Sequence, residues 1–325
     1  MAALYSQRNL MHNIIFILLL LFSTLHARDI TPITTVKTSG LVSDFVEDNG
    51  FLYVATDEGT VDVIDLVKQE IIRKIQLPDL TTIRDEIIPA RVHCVDRSNG
   101  KTLLVSSGMS AYRNIWIDNE GELKKIIDEK KELMPKKVLF TEANKLIMGS
   151  FGSDVVLYDN EENSKLYERQ VSVSTMGDMA LSNDKKKMII SDESGNVMLI
   201  EVNSSKTLKT FSSEHVDNIY KVAYANDTIV TAGQDRRVGV YRNDGQSYHI
   251  MSDFLVYAVG LSPNGSTGAY SSGLEHHLQL FNTKTKKKGD KLVGHYAIPN
   301  KILFINETSV ISSGDEAKIF FWKLD

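Results

Sequence analysis

The 325-residue chain contains one cysteine, Cys94, together with only six prolines and two tryptophans. A single thiol cannot form an internal disulfide, and it excludes a c-type haem attachment, an iron–sulfur cluster or a zinc–thiolate site of useful size. Cys94 stands in the alternating run Arg91-Val92-His93-Cys94-Val95, which reads as a small buried hydrophobe and not as a reactive thiol. Beyond residue 27 no run approaches the roughly 20 apolar residues that cross a bilayer, and long amphipathic helical patterns are missing. Charge of one sign is not in large excess, with 37 Lys and Arg against 42 Asp and Glu, so nothing suggests a nucleic-acid partner. The basic run Lys284-Thr285-Lys286-Lys287-Lys288 is local and reads as a solvated turn.

Residues Met1–Ala27 stand apart from the remainder. Arg8 and His12 precede the apolar run Ile14-Ile15-Phe16-Ile17-Leu18-Leu19-Leu20-Leu21-Phe22, and Ser23-Thr24-Leu25-His26-Ala27 follows it. This is the pattern of a secretory signal peptide cleaved after Ala27, which predicts export to the periplasm. The alternative is an uncleaved anchor, because Leu25 at the −3 position is a less usual choice. Domains are therefore expected at 1–27 (signal peptide) and 28–325.

What is present is a repeat. Short β-rich runs such as Phe51-Leu52-Tyr53-Val54-Ala55, Lys187-Met188-Ile189-Ile190 and Thr228-Ile229-Val230 recur between Gly, Asn and Asp turn signals. After each comes a second strand ending in a large apolar residue: Ile64, Ile117, Tyr158, Ile200, Tyr241, Phe281 and Trp322. Their separations are 53, 41, 42, 41, 40 and 41 residues. A period near 40–45 residues with several strands per unit is the size of a four-stranded propeller blade. The expectation is all-β, a seven-bladed β-propeller. Its last repeat stops after a third strand, so Ile30–Lys37 is expected to supply the missing strand and close the ring.

Two repeats carry polar residues in a recognisable order. The fifth has His215, Thr231, Asp235 and Tyr241; the seventh has Gly294-His295, Ser312, Glu316 and Trp322. These resemble the WD40 family, in which a Gly-His pair, a strand Ser or Thr, a turn Asp and a strand Trp are hydrogen-bonded in series. The resemblance implies a structural role for these residues, and Ile64, Ile117 and Ile200 depart from it because they cannot hydrogen-bond where the family's Trp would. Together with the leader and the stretch Ser313 to Trp322, the seven degraded repeats also resemble the NapL family of periplasmic propellers encoded with periplasmic nitrate reductases. That resemblance implies an accessory role in nitrate respiration, in maturation of the reductase or electron delivery to it, with nitrate reductase components as protein partners.

No catalytic constellation is evident. His276-His277 is poor metal geometry, because adjacent strand residues point to opposite faces. The glycine-rich turn Gly149-Ser150-Phe151-Gly152-Ser153 lacks the Lys and following helix of a phosphate loop. The chain is therefore expected not to be an enzyme and to need no cofactor or metal; the alternative is a haem- or quinone-binding propeller, or a propeller enzyme, with its ligand in the central tunnel. Acceptor patterns for Asn-linked glycans begin at Asn203, Asn226, Asn264 and Asn306, and chance accounts for them equally well.

One irregularity points to a binding surface. The first separation exceeds the others by about one short loop, and the excess falls in Leu77–Pro89. In propellers, blade-to-blade connections share a face with the turns between second and third strands, which places this insertion on the same face as Met109–Arg113. Leu80, Ile83, Arg84 and Ile87 with Tyr112 and Arg113 have the apolar, aromatic and Arg character of a protein-binding patch. The alternative is a loop folded back as packing.

Overall fold

Two-residue turns set the strand pairing. Asn49-Gly50, Asn99-Gly100, Glu120-Gly121 and Asn226-Asp227 all have positive φ at both positions, the geometry whose twist matches antiparallel strands. They join Asp48 to Phe51, Ser98 to Lys101, Asn119 to Glu122 and Ala225 to Thr228 as directly paired residues. The computed structural model describes residues 27–109, 112–142 and 145–324. The expected leader, apart from Ala27, lies outside the described residues.

Seven sheets follow one another around a ring. Blade one is built from Val42–Asp48, Phe51–Thr56, Thr60–Asp65 and Glu70–Gln76, innermost strand first. Blades two to six repeat this order over 92–127, 135–170, 176–211, 219–251 and 259–292. Blade seven takes Pro299–Asn306, Ser309–Gly314 and Lys318–Lys323 from the end of the chain and Thr34–Lys37 from its beginning. The fold is an all-β seven-bladed propeller.

Closure is finer than the sequence suggested. The expected strand Ile30–Lys37 is divided. Thr34–Lys37 pairs antiparallel with the third strand of blade seven, Thr34 opposite Phe321 and Lys37 opposite Lys318. Asp29–Ile30 instead lies parallel to the outermost strand of blade six, opposite Lys291 and Leu292. Pro32, with no N–H to give a ladder, stands between the two pairings. The backbone N–H and the guanidinium of Arg28 both donate to Asp290, each at 2.8 Å, so one segment fastens two neighbouring blades.

The cores lie between sheets. Cys94, Leu103, Val105 and Ile115 of blade two pack with Val138, Phe140, Leu146 and Met148 of blade three, and the same pattern recurs around the ring. Cys94 is buried, and burial pushes its thiol above the usual range. Sheets approach closely where blades four and five meet: a Cβ on Gly177 would lie 1.9 Å from the carbonyl oxygen of Ile219. One alignment needs correcting. In blade two the residue equivalent to Trp322 is Trp116, opposite Leu104 as Trp322 is opposite Val310, not Ile117, which stands one position further along.

Val36 is buried with Ile319 and Phe321 of blade seven and Val42 and Phe45 of blade one. Val36→Asp places an uncompensated carboxylate there and is expected to lower stability by about 3 kcal/mol. Thr35→Asp, whose side chain is exposed, should leave the urea midpoint unchanged. Equal midpoints for the two variants would refute closure by this strand.

Candidate functional face

The two faces of the disc differ in chemistry. Blade-to-blade connections are stitched to the turns between second and third strands, as in Leu77 N–H to Gly59 O at 2.9 Å, Val171 to Ser153 at 3.0 Å and Ser252 to Arg236 at 2.8 Å. These segments form one face. Sixteen large apolar side chains are exposed among the described residues. Ten of them belong to this face: Leu41, Ile83, Ile87, Ile88, Met134, Phe151, Val173, Val216, Leu274 and Tyr296. On the opposite face, made of the first-to-second and third-to-fourth strand turns, only Val67 is exposed in this way. Asn203, Asn226 and Asn264 sit in turns of that opposite face, and Asn306 ends the strand that leads into another of them.

The insertion between blades one and two is a small hairpin on the apolar face. Leu80 and Thr81 pair with Ile88 and Ile87, and Thr82 N–H closes the tip on Glu86 O at 2.8 Å. Its root is packing: Leu77 is buried, and Leu80 is half-buried against the blade-one and blade-two core. Its tip is surface, with Ile83 89% exposed and Arg84 and Ile87 also exposed. The root is therefore packing, and the tip is left exposed on this face. Tyr112 and Arg113 lie half-buried on the same face, beside the second-to-third strand turn of blade two. Among the described residues no hydrogen bond or ion pair joins the hairpin to them.

Each innermost strand except that of blade six carries a register break. Such a bulge re-aims side chains. Within it or immediately after it come Asp44, Cys94, Lys137, Asp178, Lys221 and Lys301. Lys137 meets Asp178 at 2.9 Å, and Lys301 meets Asp44. Burial alone would raise the Asp178 carboxyl, but Lys137 and Lys221 overcome it and hold it at about 2. Asp44 is held low in the same way against its burial, chiefly by Lys301. The aspartates also bind the next blade: Asp44 accepts from Val95 N–H at 3.2 Å, Asp96 from Phe140 at 2.7 Å and Asp178 from Val222 at 3.2 Å. This charged belt was not anticipated. Its signal is a charged residue ahead of an apolar one at the blade period, in Ser43-Asp44-Phe45, Lys136-Lys137-Val138 and Asn300-Lys301-Ile302.

The expected blade networks are assembled side by side. In blade seven His295 reaches Glu316 at 2.7 Å through Nδ1 and Ser312 at 2.7 Å through Nε2, while Trp322 Nε1–H donates to Ser312 at 2.8 Å. The order resembles a Ser-His-acid triad, yet Ser312 is fully buried and its oxygen is engaged by the indole, so no substrate carbonyl can reach it. In blade five His215 reaches Asp235 at 3.0 Å and Thr231 at 2.7 Å. Tyr241 fills the Trp position, but its buried hydroxyl has no well-formed hydrogen bond. Blade two keeps a partial network in which Trp116 donates to Ser106 at 3.0 Å.

No protein-family model matches the chain. A solved β-propeller domain of Cps50 (Swd1) from Myceliophteria thermophila superposes with a TM-score of 0.72 over 90% of this chain and 99% of that one, at 12% identity. The fold is that of a WD40-like propeller. Two curated proteins are similar in sequence to part of this propeller. Actin-interacting protein 1 of Caenorhabditis elegans is 25% identical over 173 residues, 50% of this chain and 28% of that protein. Autophagy-related protein 16 of Arabidopsis thaliana is 24% identical over 177 residues, 52% of this chain and 34% of that protein. The aligned part spans only about a third or less of either relative's length.

Two predictions follow from the belt. The folded Asp178 carboxyl titrates at about 2, below its unfolded value near ~3.9. Its contribution to stability is therefore fully present above about pH 4 and is lost as pH falls toward 2. Urea midpoints measured across this range should decline in wild type, with a shallower decline in Asp178→Asn. Lys137→Met removes the contact ion pair and leaves Lys221 alone to offset the buried carboxylate, which should cost about 3 kcal/mol at neutral pH. Adding Asp178→Leu should recover part of that loss, and a double variant no more stable than the single one would contradict the pairing.

Proposed function

We propose that this chain is a non-enzymatic scaffold that docks a protein partner on its apolar face. The observation that carries this reading is the segregation of exposed apolar side chains to one side of the disc. Scattered single hydrophobes are ordinary on any surface, whereas a face that gathers most of them is a place for contact. The protruding hairpin adds Ile83 and Ile87 to that face on a rigid root, so little ordering cost is incurred on binding. The similarity to Actin-interacting protein 1, a protein named for a protein partner, supports the same manner of use.

The finer reading is an exported accessory factor in periplasmic nitrate reduction, serving maturation of the reductase or electron delivery to it, with reductase components as partners. It is supported by the leader-like Met1–Ala27 and by the resemblance of the seven degraded repeats to NapL. Among the described residues, no helix is long and apolar enough to cross a membrane.

Ile83→Asp/Ile87→Asp should abolish copurification of the partner from native extract while leaving the urea midpoint unchanged. Val67→Asp, on the opposite face, should leave copurification intact. Partner recovery that survives the hairpin substitutions and fails with Val67→Asp would reverse the assignment of the face. A stoichiometric visible chromophore in protein purified from its host would replace the scaffold reading with a cofactor-binding one.

A further inference from the structure

We infer that Arg91, His93 and Arg113 on blade two form a docking site for a carboxylate side chain of the partner, placed so that an acidic residue and a neighbouring apolar residue are taken together. The inference rests on the docking face proposed above and names the chemistry of the segment that face takes.

Three residues converge on Ser107. Its N–H donates to the Arg91 carbonyl at 2.9 Å, its hydroxyl meets His93 Nε2 at 2.8 Å, and it is the strand partner of Arg113. His93 is the extra residue at the register break of its strand, which turns it away from the regular alternation. The site is therefore held by three neighbouring strands, 92–98, 101–107 and 113–119.

Its cations lack counterions. Several other cations of the propeller have them: Arg73 meets Asp118 at 2.6 Å, Arg97 meets Asp48 at 3.1 Å and Lys137 meets Asp178 at 2.9 Å, while half-buried Arg242 and Lys136 are met by neutral oxygens, those of Thr283 and Met176. Among the described residues, neither Arg91 nor Arg113 has a carboxylate or any side-chain hydrogen bond, and Arg113 Nε is fully buried with no acceptor. Glu129, on the short turn packed beside this strand end, has Lys125 as its ion-pair neighbour at 3.8 Å, its buried Oε2 has no hydrogen-bond partner, and among the described residues no ion pair joins it to either arginine. His93 cannot serve as a counterion and does not add charge, because burial, then Arg113 and Arg91, push it down to about 3. Two like charges side by side raise each other's free energy, in a chain where acids outnumber bases. A carboxylate relieves this, and the guanidinium fork matches its two oxygens.

The apolar half of the site is adjacent along the chain. Ile87, exposed on the hairpin, precedes Arg91 by four residues, a reach of at most about 14 Å. A partner segment therefore presents its acidic and apolar side chains within a few residues of each other.

The test titrates the full chain with a labelled, capped heptapeptide carrying two leucines and two glutamates, and with its counterpart carrying glutamines. Fluorescence anisotropy should show the glutamate peptide binding at least tenfold more tightly. In Arg91→Gln/Arg113→Gln, shown by circular dichroism to be folded, that difference should vanish. The His93 ring, followed by NMR, should titrate at a higher pH once the glutamate peptide is bound, and also in the Arg variant without peptide. Equal affinity for the two peptides, or a preference that survives the Arg substitutions, overturns the inference. Retention on phosphatidylglycerol vesicles that needs the two arginines, without a peptide preference, assigns the cluster to a lipid surface and overturns it too. Native partner capture lost in the hairpin variant but kept in the Arg variant refutes the carboxylate site and leaves the docking face standing; capture kept in both refutes the docking face itself.

Discussion

A propeller blade has apolar side chains on both faces of its sheet, so no blade is shielded from water until it has a neighbour on each side. Everything else in this molecule answers to that constraint. Seven sheets satisfy it in a ring, and the ring has one seam, which Thr34–Lys37 fills by completing blade seven. Among the described residues no ladder of backbone hydrogen bonds runs from one blade to the next, so the join is made by interleaved apolar side chains and by Asp44, Asp96 and Asp178 reaching the N–H groups of the following innermost strand. Lys301 and Lys137 of the belt balance Asp44 and Asp178, which is why charge sits where a purely apolar lining would otherwise do.

The same architecture separates structure from function. Strands are committed to the cores, so variation is confined to the connections at the two faces. One face keeps polar turns, with all four Asn-Xaa-Ser/Thr positions in or beside them, so a glycan on any of these would leave the other face open. The other face collects the exposed apolar residues, the hairpin and the unpaired arginines. The blade networks are buried: in blade seven the serine, histidine and carboxylate that elsewhere could cleave an ester are sealed beneath Trp322.

Much of the fold was legible in the sequence because its signal is periodic. A third-strand apolar residue recurring about every 41 residues locates the blades, since every blade repeats the same burial problem. The missing last strand announced its own replacement. Two details escaped for physical reasons. Adjacent Trp116 and Ile117 are both large and apolar, and only the strand register distinguishes the one that meets Ser106. The division of Ile30–Lys37 depends on which blade edge each half reaches, which no local pattern encodes. The candidate site was legible as an insertion with apolar and Arg content. The absence of counterions around Arg91 and Arg113 was not, because pairing is set by residues distant in sequence, and the charged belt is invisible until the bulges align its members.

The central claim is that one face of the disc is the working face. A photo-crosslinking amino acid placed singly at Val216, across the same face from the hairpin, and at Val67 on the opposite face tests it most directly in the native host. The account predicts a discrete crosslinked protein from Val216 and none from Val67. Crosslinking from Val67 with none from Val216 would contradict it.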